Sequence, residues 1–171
     1  MSGQLKQTVQ RCKDYSPVDY KKQFMIDRTS RDILAENIRH LVAGITTNFE
    51  YEEAIISVNT KDTAVKELVN AIWSLYDDLK EHKLEVEKFT REDYKTFAIF
   101  ILFLKTNQEY NWPNAAIREP LIRLLANVFT LGIYTRKKDK EFLAAGDIRY
   151  WPFLNEEEFE AAKQKPIYLN R

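Results

Sequence analysis

The longest apolar run in the chain is Phe97-Ala98-Ile99-Phe100-Ile101-Leu102-Phe103-Leu104, and it leaves no polar stripe at helical or strand period. Such a segment is either a helix covered on all sides or a buried strand. Length decides for helix: Glu92 to Lys105 holds no breaker, whereas buried strands usually run about four to eight residues. Thr90, with Asp93 three positions on, supplies a short variant of the capping box at its start.

Amphipathic segments flank this run. Leu34, Ile38, Leu41 and Ile45 recur at helical spacing behind the capping residues Thr29 and Ser30, with Asp32 in the first turn and Gly44 at the end. Residues 49–58 mix helix-favouring Glu52-Glu53-Ala54 with strand-favouring Ile55-Ile56-Ser57-Val58, and we assign a short helix. Val65, Leu68, Val69, Ile72, Leu75, Tyr76 and Leu79 form a second long stripe, bordered by Trp73 and capped by Thr60 or Asp62. Residues 80–88 are a charged connection. The loop 107–114 carries Tyr110 and Trp112, and a helix after Pro120 presents Leu121, Leu124, Leu125, Val128 and Phe129. Beyond the basic connection 136–140, a short helix over 141–145 ends at Gly146. Ile148 to Leu154 is extended, since Pro152 disfavours helical geometry at Trp151. Asn155 caps a last helix whose first turn holds Glu156, Glu157 and Glu158.

The pattern predicts an all-α, single-domain bundle of five to seven helices around a central apolar helix, residues 92–105. A basic, partly ordered arm (residues 1–29) precedes the helical domain (residues 30–171). At 171 residues, a domain can bury roughly 68–70% of its unfolded surface, so no metal or disulfide staple is needed.

Charge narrows the functional classes. The 26 basic and 26 acidic side chains cancel, which removes both the strongly basic nucleic-acid binder and the acidic mimic of nucleic acid. Four glycines are too few for a Gly-rich phosphate loop. The single cysteine, Cys12, excludes an internal disulfide and sits in the polar arm, far in sequence from both histidines. The first residues lack the apolar core of a signal peptide, and the central run is about half the ~18 residues of a membrane helix. These features lead us to expect a soluble, cytoplasmic protein.

No nucleophile elbow, P-loop or dinucleotide fingerprint occurs. The nearest approach to a metal centre is Glu36 and His40 on one helix face, with Asp77, Asp78 and Glu81 late on the second long stripe. Bundle metal centres use about four carboxylates plus histidines in Glu-x-x-His spacing, which is absent. A metal-dependent hydrolase built on Glu36, His40, Asp77 and Asp78 is the best enzymatic alternative, though a solvated helix face accounts for the same residues. Nucleic acid could meet the basic arm, where Tyr15, Tyr20 and Phe24 alternate with lysines, or the 136–140 patch with Arg118 and Arg123. By elimination, the sequence favours a non-enzymatic protein-binding module without cofactor. Its most concrete form is a bacterial immunity or antitoxin-type inhibitor that covers a toxin domain. Tyr150, Trp151, Glu156, Glu157 and Glu158, together with Tyr110 and Trp112, combine interface-type aromatics with an acidic rim, and are the partner-binding candidates.

Overall fold

A computed structural model describes residues 26–77, 79–113 and 133–164. Six α-helices occur among them and no strand: α1 Arg28–Val42, α2 Asn48–Ile56, α3 Thr63–Trp73, α4 Arg91–Leu104, α5 Ile133–Ala145 and α6 Glu156–Gln164. Two single 3-10 turns, Val86–Lys88 and Ile148–Tyr150, punctuate the connections. The all-α expectation holds. None of these helices is long and apolar enough to cross a membrane.

The unbroken apolar run has a simple cause: α4 faces two separate cores. Phe97, Phe100 and Leu104 enter the first, with Leu34, Ile38 and Leu41 of α1, Tyr51 and Ile55 of α2, and Val65, Leu68 and Ile72 of α3. Ile99, Leu102 and Phe103 enter the second, with Tyr110, Trp112, Phe153 and Ala162. Only Ala98 of the run is exposed. Packing reflects this division, since α4 meets α1, α3 and α6, whereas α1 meets α2, α3 and α4. The centre of the domain is thus shared between α4 and α1.

Caps fix the helix starts. Asp27, rather than Thr29 or Ser30, caps α1; it accepts from the Ser30 backbone N–H at 3.1 Å and from the Ser30 hydroxyl at 2.6 Å. The helix therefore begins inside the stretch assigned to the arm. Thr47 and Glu50 form a reciprocal capping box on α2, and Thr90 and Asp93 do the same on α4. Asp62 caps α3. The chain leaves α1 through Gly44, whose φ of +64° suits glycine, so Ile45 falls outside the helix and is exposed. Similarly, α3 ends at Trp73, and Leu79, expected on its stripe, lies beyond it in solvent.

The charged connection after α3 is pinned. Buried Asn48 donates to the carbonyls of Asp77 (2.7 Å) and Lys80 (3.0 Å) and accepts from the His82 N–H at 2.8 Å. Leu84 is buried in the first core. One amide side chain thereby satisfies backbone groups that a loop of this kind would otherwise leave to water.

The C-terminal layer departs most from expectation. Residues 136–140 form no connection; they lie within the continuous helix α5. Gly146 follows that helix without positive φ, and its role is close approach: a Cβ there would overlap the Leu154 carbonyl, next to the 2.7 Å bond from the Asp147 N–H to that same oxygen. Gly146→Ala is expected to lose about 1–3 kcal/mol through overpacking against backbone that cannot rotate away, measurable as a lower denaturant midpoint. Ile148–Tyr150 forms a 3-10 turn in place of the extended segment, and the Trp151–Pro152 peptide is cis. The helix expected after Pro120 lies outside the described residues.

Candidate docking surface

The aromatic residues that marked the C-terminal candidate site are mostly interior. Trp112 is 1% exposed and its indole N–H donates to the Phe153 carbonyl at 3.1 Å. Tyr110, also buried, accepts from the Trp151 indole N–H at 3.1 Å. Trp151 is half-buried, edge-on to Phe100 with centroids 5.2 Å apart. These rings close the second core, and Trp112 and Tyr110 have almost no surface to offer a partner. Length and sequence cannot separate a ring that plugs a core from one that anchors a partner, because both are aromatic residues in polar loops.

The neighbouring glutamates divide. Glu158 accepts from the Leu154 N–H at 3.0 Å while its own N–H donates to Asn155 at 2.9 Å, so it fastens the start of α6. Glu156 hydrogen-bonds the Tyr150 hydroxyl and thereby pushes its pKa up. Glu157 is exposed. Beside them Trp151, Phe100 and Ile148 floor a cleft of about 450 Å³ with Glu92, Lys95 and Arg149 on its rim.

The charged residues considered for metal do not converge. Glu36 pairs with His40 (3.1 Å) and Arg39 (2.8 Å) on the exposed side of α1. Asp77 accepts from the Leu79 N–H at 2.9 Å, and Asp78 lies outside the described residues. Among the described residues no group of three or more His, Cys, Asp or Glu side chains could hold an ion. Of the basic patch, Lys137 and Lys140 are exposed, and Lys137 stands 4.0 Å from Glu141. Arg118, Arg123 and Cys12 lie outside the described residues.

Among the described residues, a charged cluster centred on Arg31 and Asp62 is buried. Arg31, 1% exposed, donates to Asp62 at 2.6 and 3.2 Å and to the carbonyls of Thr106 (3.1 Å) and Gln108 (2.8 Å). Asp62 also accepts from the Ala64 and Asp27 N–H groups. Arg28 adds donors to the Leu104 and Thr106 carbonyls, so two guanidinium groups cover the C-terminal end of α4, where cations are favoured. Burial works against ionisation of Asp32, yet hydrogen bonds from Lys105 and Arg28 outweigh it and hold the carboxyl below its ordinary value. Through these bonds the cluster joins the start of α1, the start of α3 and the end of α4.

A groove with apolar walls lies elsewhere, in the crevice between α2 and α3. Tyr51, Ile55, Ile56, Val69, Trp73 and Tyr76 line a groove of about 340 Å³, with Glu52 its only acidic wall. It runs on into a second hollow of about 470 Å³, where Val58, Thr60, Val65 and Lys66 join Ile55, Ile56 and Val69. Ile56 is 83% exposed and Trp73 53%. Both follow from periodicity: they stand one position off the buried stripes, next to Ile55 and Ile72. The sequence placed Trp73 at the border of its stripe, and only the packing of α2 and α3 on α1 brings Ile56 into the same groove.

No family model matches the chain, and the comparisons find neither a curated protein nor a solved structure similar to it.

Proposed function

We propose that this protein works by binding another protein through the apolar groove between α2 and α3, most concretely as an inhibitor of the immunity or antitoxin type that covers a toxin domain. The observation that carries the reading is a contiguous apolar groove with a protruding isoleucine and a half-exposed tryptophan. Large exposed apolar patches mark interaction surfaces far more often than isolated exposed side chains do, and grooves between helices accept the apolar face of a partner helix or strand. The inhibitor form draws on the sequence, on modest size and the lack of a reaction-centre motif, while the neutral charge speaks against covering a very basic toxin surface by charge alone.

The test is co-purification of the tagged chain from its native cells, followed by titration of the recovered partner. A one-to-one complex is expected. Ile56→Glu and Trp73→Ser should each weaken it by about 2 kcal/mol or more, roughly 30-fold, with unchanged unfolding midpoints for Ile56→Glu. Leu143→Glu, exposed on α5 and outside the groove, should bind normally. For the inhibitor form, stoichiometric chain should suppress the partner's toxic activity. Charge reversal at Glu156 and Glu157 probes the C-terminal face in the same titration: loss there, with Ile56→Glu silent, moves the interface away from the groove.

A further inference from the structure

We propose that the aromatic half of the α2–α3 groove, walled by Tyr51, Trp73 and Tyr76 with Glu52 at its side, takes an arginine side chain of the partner protein. This rests on the groove being a docking surface and adds the kind of side chain that it selects. Among the described residues that line this half, Glu52 alone carries a formal charge. It makes no ion pair with any described residue, whereas Glu36, Glu85, Glu92 and Glu160 each stand beside a cation. Lys66 lines only the adjoining hollow. It stands seven residues before Trp73 on α3, about 10 Å at 1.5 Å per residue, so the two charges belong to opposite ends of the groove.

The walls suit a flat cation. The Tyr51 and Tyr76 rings stand edge to face, with centroids 6.1 Å apart and planes at 72°, and so form a corner and not a stack. Tyr51, 1% exposed, is the floor, and Trp73 is a half-exposed wall. Electron-rich ring faces attract a cation, tryptophan most strongly. The Tyr51 hydroxyl is buried with no hydrogen-bond partner among the described residues. Burial holds it protonated, and Tyr76 and Glu52 reinforce that. Its oxygen is thus left without a donor, next to a carboxylate that is left without a cation. A guanidinium answers both. It carries five N–H donors in one plane, stacks on aromatic faces and is more weakly hydrated than an ammonium. Ile55, Ile56 and Val69 give apolar cover to its aliphatic stem.

The test uses the full chain and two short peptides, acetyl-Leu-Arg-Leu-amide and the same peptide with citrulline, a neutral side chain of nearly equal shape. The arginine peptide should shift the Trp73 indole NMR signal and leave the Trp112 indole unmoved. Its dissociation constant should be on the order of millimolar, as one side chain in a groove allows. The citrulline peptide should bind about tenfold more weakly, and a lysine peptide should fall between the two. Glu52→Gln should bring the arginine peptide down to the citrulline level. Glu53→Gln, the same charge change at an exposed position outside the groove lining, should not. No Trp73 shift with the arginine peptide, or citrulline or lysine peptides that bind as well as it does, would overturn the assignment. The docking surface fails separately, on a recovered partner that binds Ile56→Glu normally. Should Glu52→Gln lower the unfolding midpoint, the peptides on the unchanged chain decide alone.

Discussion

Asp62→Ala is expected to destabilise the domain by about 3–5 kcal/mol, because it strands the Arg31 guanidinium in the interior without its counter-charge. The loss of the α3 cap adds about 1 kcal/mol. Domains of this kind have only about 5–15 kcal/mol in hand, so the variant should unfold at much lower urea concentration. Asp62→Asn keeps the acceptor for the Ala64 N–H but not the charge, and should fall between the two. Arg31→Met should cost a similar amount by a different route. It leaves the Asp62 carboxylate buried with neutral donors only and removes donors from the Thr106 and Gln108 carbonyls. Urea midpoints within about 1 kcal/mol of wild type for both Asp62→Ala and Arg31→Met would show that water reaches the cluster.

Trp112→Ala should be comparably severe, about 3–5 kcal/mol for an aromatic ring removed from a filled core. The ring contacts Phe142 at a centroid distance of 4.8 Å, and its N–H is the donor to Phe153. Trp112→Phe separates these contributions: it keeps much of the volume and should lose about 1–3 kcal/mol, the cost of an unpaired buried carbonyl. Trp151→Ala, at a half-buried ring, should cost less than Trp112→Ala. Chemical denaturation followed by far-ultraviolet circular dichroism reads all three. If Trp112→Ala left stability intact and abolished partner binding instead, the ring would belong to the interface that the sequence assigned to it.

Much of the helical frame was legible from local signals. The Thr90–Asp93 capping box, the Asp62 cap and the Asn155 start of α6 all act within one turn of chain, so a linear reading finds them. The short helix expected within residues 49–58 is present as Asn48–Ile56 for the same kind of reason, since the Thr47–Glu50 box sets its start. Errors arose where a distant partner decides. Asp27 outcompetes Thr29 and Ser30 as cap because Thr60 and Asp62 hold it in place. Gly146 reads as a helix stop and does follow the last residue of α5, but only the fold shows that Leu154 crosses it closely. Arg31 reads as one more charge on an amphipathic helix; only the folded chain brings Asp62 and two carbonyls around it.

The candidate site shows the same limit more sharply. Exposure of Ile56 and Trp73 is set by which residue of each helix faces the neighbouring helix, and a rotation of either helix by one position, about 100°, would bury them. Tyr110, Trp112 and Trp151 have the composition of an interface, but the second core needed large rings to fill the space between α4 and α6.

By itself, the sequence determined that this chain is helical, where most of its helices start, and that the 97–104 run must be covered on both sides. Those properties depend on backbone hydrogen bonding and periodicity, which act over a few residues. Only the tertiary structure decided which aromatics are core, which charges are neutralised, and that an apolar groove lies between α2 and α3. These are properties of pairs of residues about 15 to 80 positions apart in sequence, and burial is not a property that any one of them carries alone.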